Sequence, residues 1–325
     1  MKKTLVCLFI GLLAASVFNV VAADAPDLKY GLYIHYGMDT FRHAGEKGQL
    51  PVDRFAPGSI NVKAWAHAAK EGGMTFAILT AKHESGFCLW DSQGYDYDIA
   101  HSPFKGDLIA DFIAACKAEG ILPGVHYSIP DAYNEGAVRG QGVVPPPYFN
   151  VIKQHITELH TKYPELRVQI LDGSQRLSAV QWDELSQIVR RLNPACVLLD
   201  WTHPPLFDAA TVNKGWMWMP NAALNPVQQL FAAYRQSQSA GKAFVLNVGP
   251  GPLGNISANE LAVLTELKNL IANPEPAATV ATASSDNSAK SDAAARLKQV
   301  KSLYDQGLIN KGDYDKKVKE IMDSL

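Results

Sequence analysis

Phe76-Ala77-Ile78-Leu79-Thr80-Ala81 is a β-rich apolar run that ends directly on Lys82, His83 and Glu84. Similar runs occur at residues 30–36, 122–127, 168–171, 196–199 and 244–248, with 215–219 as a weaker seventh candidate. Amphipathic stretches at 60–70, 108–118, 148–163, 179–192 and 227–237 fall between them. Such alternation predicts parallel strands joined by crossover helices. Residues 24–272 number 249, close to the ~250 of an eight-stranded (β/α)₈ barrel. The expected fold is therefore an α/β (β/α)₈ TIM-like barrel, irregular because one strand is missing from the pattern. A doubly wound open sheet is the alternative, but no Gly-x-Gly-x-x-Gly follows the first run to hold a dinucleotide.

The flanking segments differ in character. Lys2 and Lys3, the apolar stretch 5–21 and the small residues Val21-Ala22-Ala23 read as a secretory signal over 1–23, with a retained anchor as the rival. Export to the periplasm or beyond is the expectation. Residues 273–295 are rich in Ala, Ser, Thr, Asp and Pro and read as a flexible linker. Beyond it, Leu297, Val300, Leu303 and Tyr304, then Tyr314, Val318, Ile321 and Met322, fall at helical spacing on either side of Gly307. This small C-terminal helical hairpin, 296–325, resembles the SHOCT domain and is expected to dock on a protein partner or self-associate. Cleavage would leave Cys88, Cys116 and Cys196, too few and too scattered for a disulfide framework or a metal knuckle.

Composition narrows the chemistry. The 325 residues carry 30 Lys+Arg against 32 Asp+Glu, a net charge of -2, which leaves no basic excess for nucleic acid. With 47% hydrophobic residues the chain can bury a core. On a barrel, reactive groups sit at the C-terminal ends of the strands. Those positions hold His35, His83 with Glu84, Tyr127, Asp172, Asp200 with Trp201, Trp216 or Trp218, and Asn247. There is no His-Glu-x-x-His, Gly-x-Ser-x-Gly or phosphate loop, so neither a metal nor a cofactor is called for. Carboxylates among imidazoles and aromatic rings suit carbohydrate chemistry.

Four motifs carry a resemblance. Gly31-Leu32-Tyr33-Ile34-His35-Tyr36-Gly37, the long stretch Leu79-Thr80-Ala81-Lys82-His83-Glu84-Ser85-Gly86-Phe87-Cys88-Leu89-Trp90, Leu171-Asp172-Gly173 and Leu246-Asn247-Val248-Gly249-Pro250 resemble, in order and spacing, the α-L-fucosidases of glycoside hydrolase family 29. The resemblance implies a retaining hydrolase acting on a fucosylated glycan or glycoside. Asp172 would be the nucleophile, His35, His83 and Tyr127 would bind sugar hydroxyls, and Trp65 would shape the pocket. Trp201 stands where the family has a sugar-binding Arg, Ile170 where it has Trp, and Glu84 and Ser85 where it has His and Asp. No Glu lies between Glu184 and Glu260, the stretch expected to supply the acid/base. Glu84 is taken as the acid, ahead of Asp131, Glu135 and Asp208, with sugar-hydroxyl binding or pairing to Lys82 as its other roles. His126, His155 and His160 match no motif and are assigned to structure or surface. The usual C-terminal β-sandwich is missing. A catalytically impaired sugar-binding barrel with a docking tail is the alternative function.

Overall fold

The computed structural model describes residues 28–136, 140–203, 206–219 and 221–274, with 311, 312 and 318. The signal segment 1–23, nearly all of the linker and most of the hairpin therefore lie outside the described residues. The chain divides into two compact units, Met1–Asn269 and Leu270–Leu325. In the second, residues 311, 312 and 318 are helical.

The first unit is built on seven parallel strands: β1 (Tyr30–Ile34), β2 (Phe76–Lys82), β3 (Leu122–Ser128), β4 (Val168–Asp172), β5 (Val197–Leu199), β6 (Phe207–Thr211) and β7 (Ala243–Val248). Their order across the sheet is β5-β4-β3-β2-β1-β7-β6. The helices are α1 (Val62–Glu71), α2 (Leu108–Glu119), the single turn α3 (Ala132–Glu135), α4 (Pro146–Lys162), α5 (Ala179–Leu192), α6 (Val227–Ser239) and α7 (Ala258–Ala272). Side chains close their N-termini: Asn61 accepts from Ala64 N, Asp107 from Ala110 N, and Ser178 forms a reciprocal box with Gln181. Among the described residues no helix is long and apolar enough to cross a membrane.

The sheet curls round on itself: β5 and β6 lie at opposite ends of the strand order, yet residues 200–206 join them directly. The inner face confirms the curl, since Tyr33, Ile78, Ile170, Leu199, Phe207 and Val245 form one buried cluster. At the seam the described residues show a single bridge, Asp200 to Leu206. Among the described residues no helix separates β5 from β6, unlike the other consecutive strand pairs.

Six of the seven strand runs read from the sequence coincide with strands. The seventh does not: 215–219 is a loop, and β6 is Phe-Asp-Ala-Ala-Thr, 207–211. Trp216 adopts a left-handed backbone, φ 61°, which a strand does not accommodate. Its carbonyl accepts from the Asn247 amide, which also donates to Thr211 Oγ1.

Candidate active site

A bulge decides which side chains enter the site. Thr80 pairs with His126, but the next partner of β3 is Lys82 with Tyr127, so the register skips one residue of β2. Lys82 is thereby turned outward and His83 inward. The buried ammonium of Lys82 bonds Asp131 at 2.7 Å and sits 4.5 Å over the Tyr127 ring.

On the inner face, three imidazoles form a chain. The rings of His35 and His83 are 4.5 Å apart, those of His83 and His126 5.8 Å, and Tyr33 stacks on both His35 and His126. Burial depresses the basicity of His35, as do its imidazole neighbours, although Asp39 and Asp172 pull the other way. Both of its ring nitrogens are buried without a protein partner. His83 Nδ1 lies 3.8 Å from Asp39, whose carboxylate receives two Arg42 bonds of 2.7 and 2.9 Å. Burial alone would raise the Asp39 carboxyl, but His83 and Arg42 outweigh it and hold it below its usual range. Asp39, Arg42, His83, Glu84 and Met217 line a cavity of about 710 Å³.

Asp172 is the last residue of β4, half-buried at the same end. Trp201 Nε1 donates to its Oδ1 at 3.1 Å, and His126 Nε2 approaches Oδ2 at 3.6 Å. Burial would raise this carboxyl, yet His126 and Trp201, with the nearby His83, hold it well below the usual carboxylate range. Gly173 then turns the chain with φ 75°, and a Cβ there would meet Pro130 at 2.4 Å.

The structure thus gathers His35, His83, Glu84, Asp172 and Trp201 at one end of the sheet. Tyr127 points away from them: strand alternation buries it on the outer face, with its hydroxyl 2.9 Å from His155 of α4. Trp65 is fully buried in α1, packed on Tyr36 and donating to the Gly254 carbonyl, so it supports the scaffold there. His126, assigned from sequence to structure or surface, instead faces Asp172; His155 and His160 are indeed buried in α4. Three acid candidates are already engaged: Asp131 with Lys82, Glu135 with Arg176, and Asp208 with Lys242. Glu84 is half-buried on the cavity wall. Asp39 and His126 were missed, although Asp39 follows the first strand by five residues and His126 shares the inner parity of Gly124.

An ionised carboxylate at the strand ends, flanked by imidazoles, an indole and a second carboxyl, is the equipment of a glycoside-cleaving site. The chain belongs to the α-L-fucosidase family: the family model described as alpha-L-fucosidase matches residues 49–273. It is similar to Alpha-L-fucosidase 1 of Arabidopsis thaliana, 26% identical over an alignment of 299 residues that covers 74% of this chain and 58% of the relative. An α-L-fucosidase structure from Bacteroides thetaiotaomicron shares the fold with TM-score 0.65 and 20% identity, over 76% of this chain and 72% of that one. An unliganded α-L-fucosidase of Lactobacillus casei does so with TM-score 0.64 and 21% identity, over 76% and 96%. The chain spans little more than half the length of its plant relative.

Proposed function

We propose that this protein is an exported retaining glycosidase that removes terminal α-L-fucose, or a closely related sugar, from a glycan or glycoside. The observation that carries the reading is Asp172, a half-buried carboxylate kept ionised at the C-terminal end of β4. In the first step its oxygen bonds to the anomeric carbon as the glycosidic C–O bond breaks. The leaving oxygen takes a proton from Glu84. In the second step Glu84 accepts a proton from water, whose oxygen displaces Asp172 and releases the sugar. His35 offers two ring nitrogens without a protein partner to the sugar hydroxyls, His83 stands beside it with its Nδ1 toward Asp39, and the indole of Trp201 offers an apolar face. The curled sheet is read as a (β/α)₈ barrel that has lost the helical unit between β5 and β6, and the C-terminal hairpin as a docking element.

The test is hydrolysis of an aryl α-L-fucoside by the mature protein and by Asp172→Asn. An activated leaving group needs little protonation, so the assay isolates the nucleophile from the acid. Turnover lost in the variant supports the reading. Inert wild-type protein, with aryl galactosides also untouched, leaves the sugar-binding barrel as the better account.

A further inference from the structure

The two oxygens of Asp172 are held in unlike ways. Oδ2 faces His126, which is 5% exposed, fixed on the middle of β3 and stacked on Tyr33. Oδ1 faces the indole N–H of Trp201, which is 47% exposed and follows the short edge strand β5. A buried ring on a central strand cannot leave its carboxylate without repacking, whereas Trp201, in contact with Phe207 on one side, has solvent on the other into which to turn. A nucleophilic carboxylate needs one oxygen anchored and the other able to shed its partner as substrate arrives.

We propose that His126 is a positioning residue for Asp172, anchoring Oδ2 so that Oδ1, covered by Trp201 in the free protein, is the oxygen that attacks. The proposal rests on the reading of Asp172 as nucleophile. His126 Nε2 carries the hydrogen in this arrangement, and its Nδ1 has no protein partner. The ionisable groups around it are His35 just after β1, Lys82 at the end of β2 with His83 next to it, and Asp172 on β4, with the phenol of Tyr33 against its ring. Of these, only Asp172 approaches it as an anion, so its effect on Asp172 is separable from theirs.

The experiment is a carboxyl ¹³C titration of Asp172 in wild-type protein, His126→Phe and His126→Gln, alongside pH profiles of kcat/KM on the aryl α-L-fucoside. In His126→Phe the Asp172 carboxyl is expected to titrate about one pH unit or more higher than in wild type. The acid limb of kcat/KM moves with it, and kcat falls while KM changes little. His126→Gln, which restores an N–H donor, returns both toward wild type. An unmoved Asp172 titration in folded His126→Phe overturns the proposal. Should that variant not fold, imidazole ¹⁵N shifts decide the question in wild type against Asp172→Asn. Removing the anion should lower the pH at which His126 takes up its proton, and an unmoved His126 overturns the proposal equally. An inert wild-type protein sinks the nucleophile reading, and with it the attacking role of Oδ1, while both titrations still report without turnover whether His126 holds Asp172, so the two failures are told apart.

Discussion

Replacing Lys82 by Met tests how the loop bearing His83 and Glu84 is supported. Lys82 and Asp131 are both fully buried and 2.7 Å apart. Removing the ammonium leaves the Asp131 carboxylate with neutral donors only, the Tyr148 hydroxyl at 2.8 Å and the Asn134 backbone and side-chain amides. Orphaning one member of a buried pair destabilises by about 3–5 kcal/mol, which for a domain of this size lowers the melting midpoint by roughly 6–20 °C. The sign with pH follows from Asp131. Burial alone would raise its carboxyl, but Lys82, Asn134 and Tyr148 together hold it below the ordinary value. Its contribution is complete above the unfolded value of about 3.9 and is lost as pH falls through the lower folded value. The gap between wild type and Lys82→Met is therefore full at pH 7 and narrows below about pH 4. Urea unfolding measures it, and Lys82→Met/Asp131→Leu should recover most of the loss because no lone charge remains. A loss under about 1 kcal/mol at pH 7, or a double variant no more stable than the single, refutes the argument. Activity should fall with stability, since Ala132 N, next to Asp131, bonds the Glu84 carbonyl.

Two further substitutions probe backbone conformation. Gly173→Ala places a Cβ against Pro130 at a left-handed φ and should destabilise by at least about 1–2 kcal/mol in urea unfolding, with reduced turnover because Asp172 is its neighbour. Trp216→Gly works in the opposite direction. It relieves a left-handed residue whose ring is 42% exposed, and the relief of about 1–2 kcal/mol exceeds the entropic penalty of about 0.5–1 kcal/mol for Gly. A rise of up to about 1.5 kcal/mol in urea unfolding is expected, and a fall would show that the ring's own contacts outweigh the strain.

Much of this architecture is visible in the amino-acid order. Strands β1 to β5 and β7 are apolar runs, and caps such as Asn61, Asp107 and Ser178 mark helix starts. β6 escapes because Phe207-Asp208-Ala209-Ala210-Thr211 has little apolar mass and, among the described residues, no helix lies between β5 and it. Residues 215–219 mislead for the opposite reason: Trp and Met look strand-like, while the Asn247 clamp that holds them as a loop comes from 31 positions away in sequence. The exchange of Tyr127 for His126 has a different cause. Both faces of a central parallel strand are buried, so polarity does not reveal which parity points inward. The bulge in β2 then resets the count for Lys82 and His83.

The seam between β5 and β6 gives the molecule an uneven resistance to local opening. A strand edge tied by one bridge parts more readily than one bonded along its length, and β5 offers only three residues to its other neighbour. Trp201 stands on this seam, its ring against Phe207 and its N–H on Asp172. His126 sits in the fully bonded centre. Asp172 therefore bridges the slow and the fast parts of the sheet. Breathing of the β5–β6 edge exposes one face of its carboxylate to solvent while the other keeps its native surroundings.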